Sequence, residues 1–403
     1  MAKKPKPEIL VYTNFFYPAY KAGGPVRTLL NMVEQLHEWY YFKIVTSDRD
    51  SGDTCTFPSI QPDQWMKKEK YSVLYLSPGQ RNITRFRRIP REASHDVVYL
   101  NSFFCFRFSI LPLVLICFRK VPQKPVILAP RGEFSEGALK LKWLKKRAYI
   151  AFAKATGLYK NVIWQASSEY EERDIRKWFG DSAVDHIAPN LTPANAGSVN
   201  QELYQKRRKK EKDFLKIIFL SRISPKKNLD GALRILEKVK GHVEMNIYGP
   251  VTDETYWAKC REIIARMPDN VKVSYKGSVP HEEVPKVMAE HDLFFFPTHG
   301  ENFGHVIHEA LSVGTPVLIS DQTPWRDLEE RQAGWDLSLS NEEKIINVVE
   351  FCCSMPSQEF FKYNKGAYSF LASSVKSTGA IEANRKIFKE AYQLLGDNGG
   401  HKK

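Results

Sequence analysis

Residues 292–320 read DLFFFPTHGENFGHVIHEALSVGTPVLIS. DLFFFPT (292–298) is an apolar run of strand length, and TPVLIS (315–320) is another. Between them lie a polar loop, His299–Asn302, and a helical pattern that carries Glu309. Strands that are apolar throughout and separated by a helix belong to a parallel sheet covered on both faces. Asn302 suits a helix N-cap, and Gly304 lets backbone come close to a ligand. Glu301 sits in the loop; Glu309 sits inside the helix, where a carboxylate is an odd choice for a face packed on a sheet.

The same alternation extends in both directions. Towards the N-terminus lie the strands FLKIIFLS (214–221), VEMNIYG (243–249) and VKVSYKG (271–277), with helices at 229–239, 253–266 and 281–290. This is one doubly wound α/β domain. A separate series precedes it: strands at 8–13, 42–47, 71–76, 96–101, 124–130 and 161–167, with an amphipathic helix from Gly24 to Leu36. A chain of 403 residues exceeds the size of a single core, so two domains are expected. The expected divisions are 1–195, a linker at 196–213 and a second domain at 214–379. YQKRRKKEKD (204–213) reads as a solvated, charged connection. Two open parallel sheets imply a cleft between them, with ligands outside the carboxyl ends of the strands.

Composition is that of a soluble globular chain, 43% hydrophobic and 26% charged, which excludes long disorder. The net charge of +14 is uneven. Residues 1–200 hold 30 Lys and Arg against 18 Asp and Glu, and the rest hold 30 against 28. A basic first half suggests an anionic partner: a lipid surface, a phosphorylated acceptor or nucleic acid. The charged run lacks interleaved aromatics, so nucleic acid is not expected. Six cysteines without C-x-x-C spacing read as reduced, buried thiols of a cytosolic protein. MAKKPKPEILVYTN has no apolar core and does not read as a signal peptide. The longest apolar run, SILPLVLICF (109–118), is about half of what a membrane span needs.

Chemistry concentrates at strand ends. Arg222 follows one strand directly, and Lys227 lies five residues on, before a helix. A guanidinium fork, an ammonium and a helix N-terminus together make a cradle for a diphosphate. Carboxylates accepting from vicinal hydroxyls hold sugars, and Glu301 and Glu309 suit that role. Phosphate cradle plus hydroxyl-binding carboxylates is what a nucleotide-sugar requires.

Arg222-x4-Lys227 followed by Glu301-x7-Glu309 in ENFGHVIHEALSVGTPV resembles the retaining glycosyltransferases of family 4, of GT-B architecture. The resemblance covers about 214–337, including YKGSVPHEEVPKVMAEHDLFFFPT and SDQTPWRDL. It implies two Rossmann-like domains facing across a cleft. It puts Arg222 and Lys227 on the leaving diphosphate, Glu301 at the donor sugar and Glu309 on the ribose. Asn302, Phe303, Gly304 and His305 would approach the sugar-phosphate, and Gly277, Ser278 and Val279 would flank the base. The resemblance implies no cofactor and no metal, because these cations stand in for one. The final helix, 380–396, would cross back to the first domain.

In the first domain, Gly23-Gly24 after the first strand is not G-x-G-x-x-G, but resembles the family's Gly-Gly loop near the donor phosphates. LAPRGEFSEGALKLKWLKKRAYI (128–150) resembles an acceptor-side loop in a subset of the family; it lacks the histidine many members carry and has Arg131 and Glu133 instead. The basic segment ALKLKWLKKRAYIAFAKATG (138–157) reads first as a surface helix whose aromatic side is core, and second as a helix lying on anionic membrane. Asp48-x-Asp50 reads as an ordinary loop, and His305-x-x-His308-Glu309 fits no zinc spacing. The expectation is a retaining hexosyltransferase, cytoplasmic or peripheral at the inner face of a membrane. It would move a UDP- or GDP-linked sugar to a glycan or lipid-linked acceptor in surface polysaccharide synthesis. The alternatives are a nucleotide-sugar epimerase or hydrolase of the same fold, and a basic nucleic-acid-binding protein.

Overall fold

A computed structural model describes residues 5–140, 143–183, 186–193, 196–374 and 377–399. The chain divides into two units, residues 1–194 with 377–403, and residues 195–376. In the first, β1 (Glu8–Tyr12), β2 (Tyr41–Ser47), β3 (Trp65–Lys67), β4 (Tyr71–Leu76), β5 (Val97–Leu100), β6 (Val126–Leu128), β7 (Val162–Ala166) and β8 (His186–Ile187) form one sheet. Their order is β3-β4-β2-β1-β5-β6-β7-β8. All neighbours are parallel except edge strand β3, which runs antiparallel to β4.

Strand β1 shows why both faces must be covered. Ile9 and Val11 enter one apolar layer, with Leu29 and Val33 of the helix Gly24–Leu36. Leu10 and Tyr12 enter the other, with Phe86 and Leu113. Period-2 alternation of apolar residues on both sides leaves no solvated face. The helix Gly24–Leu36 buries Val26, Leu29, Leu30, Val33 and Leu36, a spacing that makes one continuous stripe, and Pro25 in its first turn removes no needed donor.

The second unit repeats the plan: β9 (Phe214–Leu220), β10 (His242–Tyr248), β11 (Val271–Gly277), β12 (Leu293–Phe296), β13 (Val317–Ser320) and β14 (Gly334–Leu337) are all parallel. The order β11-β10-β9-β12-β13-β14 reverses direction between β9 and β12. Helices leave those two strands on opposite faces, which opens a crevice beyond their carboxyl ends. The loops that begin at Ser221 and at Pro297 start there.

Three features differ from the sequence reading. In the stretch 204–213 Arg207 and Lys210 pack on the second unit, while Lys206, Lys209, Glu211 and Lys212 stay exposed, so it is not a wholly solvated linker. The helix Ala196–Gln205 runs into it, and Arg207 donates to the carbonyls of Gly314 (2.7 Å) and His291 (3.0 Å). Lys210 is only 5% exposed and donates to the carbonyls of Cys353 (2.8 Å) and Met355 (2.9 Å). Carbonyl oxygens replace the water each cation gives up. The basic helix Trp143–Ala155 also turns inward less than expected: Ile150 and Ala153 are buried, whereas Trp143 and Phe152 are exposed. Residues 141 and 142 of that segment lie outside the described residues. Of the cysteines, Cys260, Cys352 and Cys353 are buried, but Cys55 and Cys117 are exposed.

The last helix, Ser377–Gly399, lies in the first unit. Phe388 sits 5.2 Å from the Tyr40 ring and 5.6 Å from that of Tyr99. Among the described residues no helix is long and apolar enough to cross a membrane.

Candidate functional site

In the second unit, the loops beyond β9 and β12 are joined to each other. Thr298 Oγ1 and the His299 N–H both donate to the Lys226 carbonyl, at 3.1 and 2.9 Å. Asn228 Nδ2 donates to the Pro297 carbonyl at 2.8 Å, from a backbone in the left-handed region (φ +58°). These bonds bring two side chains together across the switch point. Lys227 Nζ pairs with the Glu301 carboxylate and lies 5.3 Å over the Phe296 ring. Their side chains are only 11% and 14% exposed, so water screens the pair weakly. Glu301 is fixed from a third strand end as well, its N–H donating to the Gln322 carbonyl at 2.9 Å.

Arg222 stands at the start of the same loop. It is exposed and, among the described residues, has no hydrogen-bond or ion-pair partner. Its position depends on a close backbone approach. The Ser221 N–H donates to the Tyr248 carbonyl at 3.0 Å and the Ile223 N–H to the Pro250 carbonyl at 2.9 Å. A Cβ on Gly249 would lie 1.9 Å from the Ser221 oxygen, and φ there is +131°.

The helix His305–Ser312 begins behind Gly304, which is in the left-handed conformation (φ +78°); Asn302 is not its N-cap. No side chain caps this end. An uncapped helix start presents N–H groups and positive potential, a ready anion site. The turn before it is braced by Trp325, whose Nε1 donates to the Phe303 carbonyl at 2.5 Å. The Phe303 ring lies 4.7 Å from the His305 ring. On the same helix His308 faces inward, and burial pushes its imidazole down to about 4.

Glu309 is half-buried, and its Oε1 lies 3.4 Å from His281 Nδ1. His281 begins the turn after β11, so the carboxylate is linked to the loop that holds Gly277, Ser278 and Val279. Gly277 has φ +78° and its carbonyl accepts from the Gly249 N–H at 2.9 Å; Ser278 is exposed and Val279 half-buried.

In the first unit, Gly23 (φ +76°) precedes the helix start at Gly24, which again has no side-chain cap. Buried Asp50 holds the approach to it, accepting from the N–H groups of Tyr20 (2.7 Å) and Lys21 (2.9 Å). Asp48 is engaged by Arg49 and Arg81, so neither member of the Asp-x-Asp pair faces outward as a ligand. Arg131 makes one hydrogen bond from each guanidinium nitrogen, to Asn101 (2.8 Å), Asn190 (2.5 Å) and the Tyr99 hydroxyl (2.5 Å). Glu133 accepts from Ser102 Oγ (2.8 Å) and from the N–H groups of Phe103 (2.6 Å) and Phe104 (3.0 Å). Burial pushes its carboxyl above the ordinary value, against those donors. Both groups therefore brace the loop after β5.

Residues 200–350 match the family model Glycosyl transferases group 1. The match covers 151 of the 403 residues. The matched span contains Arg222, Lys227, Glu301 and Glu309, and it includes the charged stretch before β9. One relative is the O-antigen chain mannosyltransferase B of Escherichia coli, 28% identical over 26% of this chain and 28% of that enzyme. The match thus spans little more than a quarter of either chain. Among solved structures, HepE of Anabaena in complex with UDP and glucose covers 95% of this chain and 98% of its own, with 16% identity and a TM-score of 0.65. Sucrose-phosphate synthase from Thermosynechococcus elongatus covers 97% and 100%, with 14% identity and a TM-score of 0.71. The shared architecture is GT-B.

The sequence does not single out several residues around this site, although His281 and Trp325 lie within two of the stretches that carry the resemblance. His281 lies 28 positions before its partner Glu309, and Trp325 lies beyond the motif it braces. Gly249 is one glycine among 22. Each acquires its role only from a neighbour supplied by another strand end.

Proposed function

We propose that the chain is a retaining glycosyltransferase that moves a hexose-type sugar from a UDP- or GDP-linked donor to a glycan or lipid-linked acceptor in surface polysaccharide synthesis. The observation that carries this reading is the Lys227–Glu301 pair at the switch point, with an unengaged Arg222 at the start of the same loop and an uncapped helix start just after Glu301. The O-antigen enzyme among the relatives and the UDP bound to HepE agree with it.

Breaking a sugar–phosphate bond builds positive charge at the anomeric carbon and negative charge on the departing diphosphate. Preorganised donors act most strongly where that charge grows. Arg222 can grip two phosphate oxygens, and Lys227 adds a compact charge already held in place. These cations and the helix start do the work that a metal would otherwise supply. Glu301 accepts from hydroxyls of the donor sugar, and Glu309, oriented by His281, accepts from the ribose. With departure and attack on one face of the sugar, the leaving phosphate takes the acceptor's proton and no protein nucleophile is required.

Thermal unfolding of the wild type and Glu309→Gln with UDP, GDP, ADP and CMP tests this. One diphosphate at about 100 times its dissociation constant should stabilise the wild type by roughly 2.7 kcal/mol, and the variant should lose that response. No stabilisation by any of them would sink the donor-site reading. Donor breakdown at full rate without acceptor would turn it into a hydrolase or epimerase.

A further inference from the structure

The turn that leads into the helix His305–Ser312 is held from one neighbouring segment, the loop after β13. Three hydrogen bonds join residues 298–303 to residues 320–325. Ser320 Oγ donates to the Thr298 carbonyl, the Glu301 N–H to the Gln322 carbonyl at 2.9 Å, and Trp325 Nε1 to the Phe303 carbonyl at 2.5 Å. Trp325 has little freedom of its own. It is 9% exposed, and its ring lies 5.6 Å from that of Phe303, 6.4 Å from His308 and 6.3 Å from Phe370. Its backbone N–H donates to Thr323 Oγ1 at 3.3 Å, and Thr323 is itself buried.

The bond to Phe303 fixes the direction of one peptide group. A peptide unit is planar and trans, so a carbonyl and the N–H that follows it point in opposite directions. With the Phe303 oxygen on the indole, the Gly304 N–H is turned away from Trp325. Among the described residues that N–H has no hydrogen-bond partner, although Gly304 is buried. Gly304 has no Cβ and a φ of +78°, so the peptide before it is free to rotate unless a neighbour holds it.

We propose that Trp325 is a positioning residue: by holding the Phe303 carbonyl, it aims the Gly304 N–H at an oxygen of the bound diphosphate. The proposal rests on the donor-site reading and adds to it a residue that acts through the backbone. A donor already held in direction adds to the uncapped helix start and to Lys227, with no reorganisation when the anion arrives. A phenylalanine at 325 fills much of the same space but offers the Phe303 carbonyl no donor, and the peptide is released.

The test compares the wild type with Trp325→Phe and with Trp325→3-benzothienylalanine, which keeps the shape of the indole and lacks its N–H. Calorimetry gives dissociation constants for whichever of UDP, GDP and ADP binds the wild type, for the matching nucleoside and for inorganic pyrophosphate. Both variants should bind the diphosphate and pyrophosphate roughly tenfold more weakly or worse, with nucleoside affinity unchanged. Wild-type affinity for either anion in the benzothienyl variant overturns the proposal. An equal loss for nucleoside and diphosphate also overturns it, because that marks a general loosening of the fold. If no nucleoside diphosphate binds the wild type, the donor-site reading falls and pyrophosphate decides alone. Pyrophosphate binding that both variants lose then supports the role of Trp325, and a wild type that binds no pyrophosphate ends it.

Discussion

His308 shows how a single side chain makes the helix His305–Ser312 sensitive to acid. Its imidazole is 6% exposed and lies 6.4 Å from the rings of both Phe303 and Trp325, so burial holds it neutral with a pKa of about 4 against an ordinary 6.5. The folded state therefore binds fewer protons than the unfolded one between those values, and stability rises with pH across that window. Its contribution is complete above pH 6.5 and is lost as pH falls towards 4, a difference of about 3 kcal/mol. Melting temperatures measured from pH 7.5 to 4 should fall more steeply for the wild type than for His308→Leu; parallel curves would refute this. At this scale residue types were readable and partners were not. The glutamates at 301 and 309 and the cations at 222 and 227 stood out because charge is unusual at strand ends. That Lys227 reaches Glu301, 74 positions away, and that His281 reaches Glu309, depended on strand order.

Elements with a period of their own were legible, and elements defined by neighbours were not. The apolar runs of β1, β2, β4, β9, β12 and β13 could be read directly, because both faces of the sheet are covered there, whereas β10 and β11 alternate apolar with polar residues. β3 and β8 span three and two residues, too few to show a pattern, and exist because an adjacent strand offers free backbone groups. The 204–213 stretch was misread for a related reason: its charge suggested water, but backbone carbonyls of the second unit solvate Arg207 and Lys210 instead. At the end of β10, Gly249→Ala should displace the loop carrying Arg222. A Cβ 1.9 Å from the Ser221 oxygen at φ +131° requires backbone movement, at a cost on the order of 3 kcal/mol. Urea midpoints would register the loss, and a variant as stable as the wild type would refute the close approach.

The molecule as a whole is built with its final helix in the first unit, after the second has been completed. Ile387, Phe388 and Ala391 are at most 1% exposed there, and Asn384 donates to the Pro189 carbonyl at 2.8 Å. Phe388→Ala should cost about 3–5 kcal/mol, because the rings of Tyr40, Phe42 and Tyr99 cannot all close on the gap. A denaturation curve unshifted by this change would refute the packing. By itself the sequence determined two doubly wound α/β domains and the charged residue types at their strand ends, because apolar runs and misplaced charges are local properties. Tertiary structure alone decided which cation meets which carboxylate, that two cations of a highly charged stretch are packed, and that an aromatic, basic helix face is left uncovered. Those outcomes depend on strand order and on competition among side chains for a limited interior, which no stretch of chain encodes on its own.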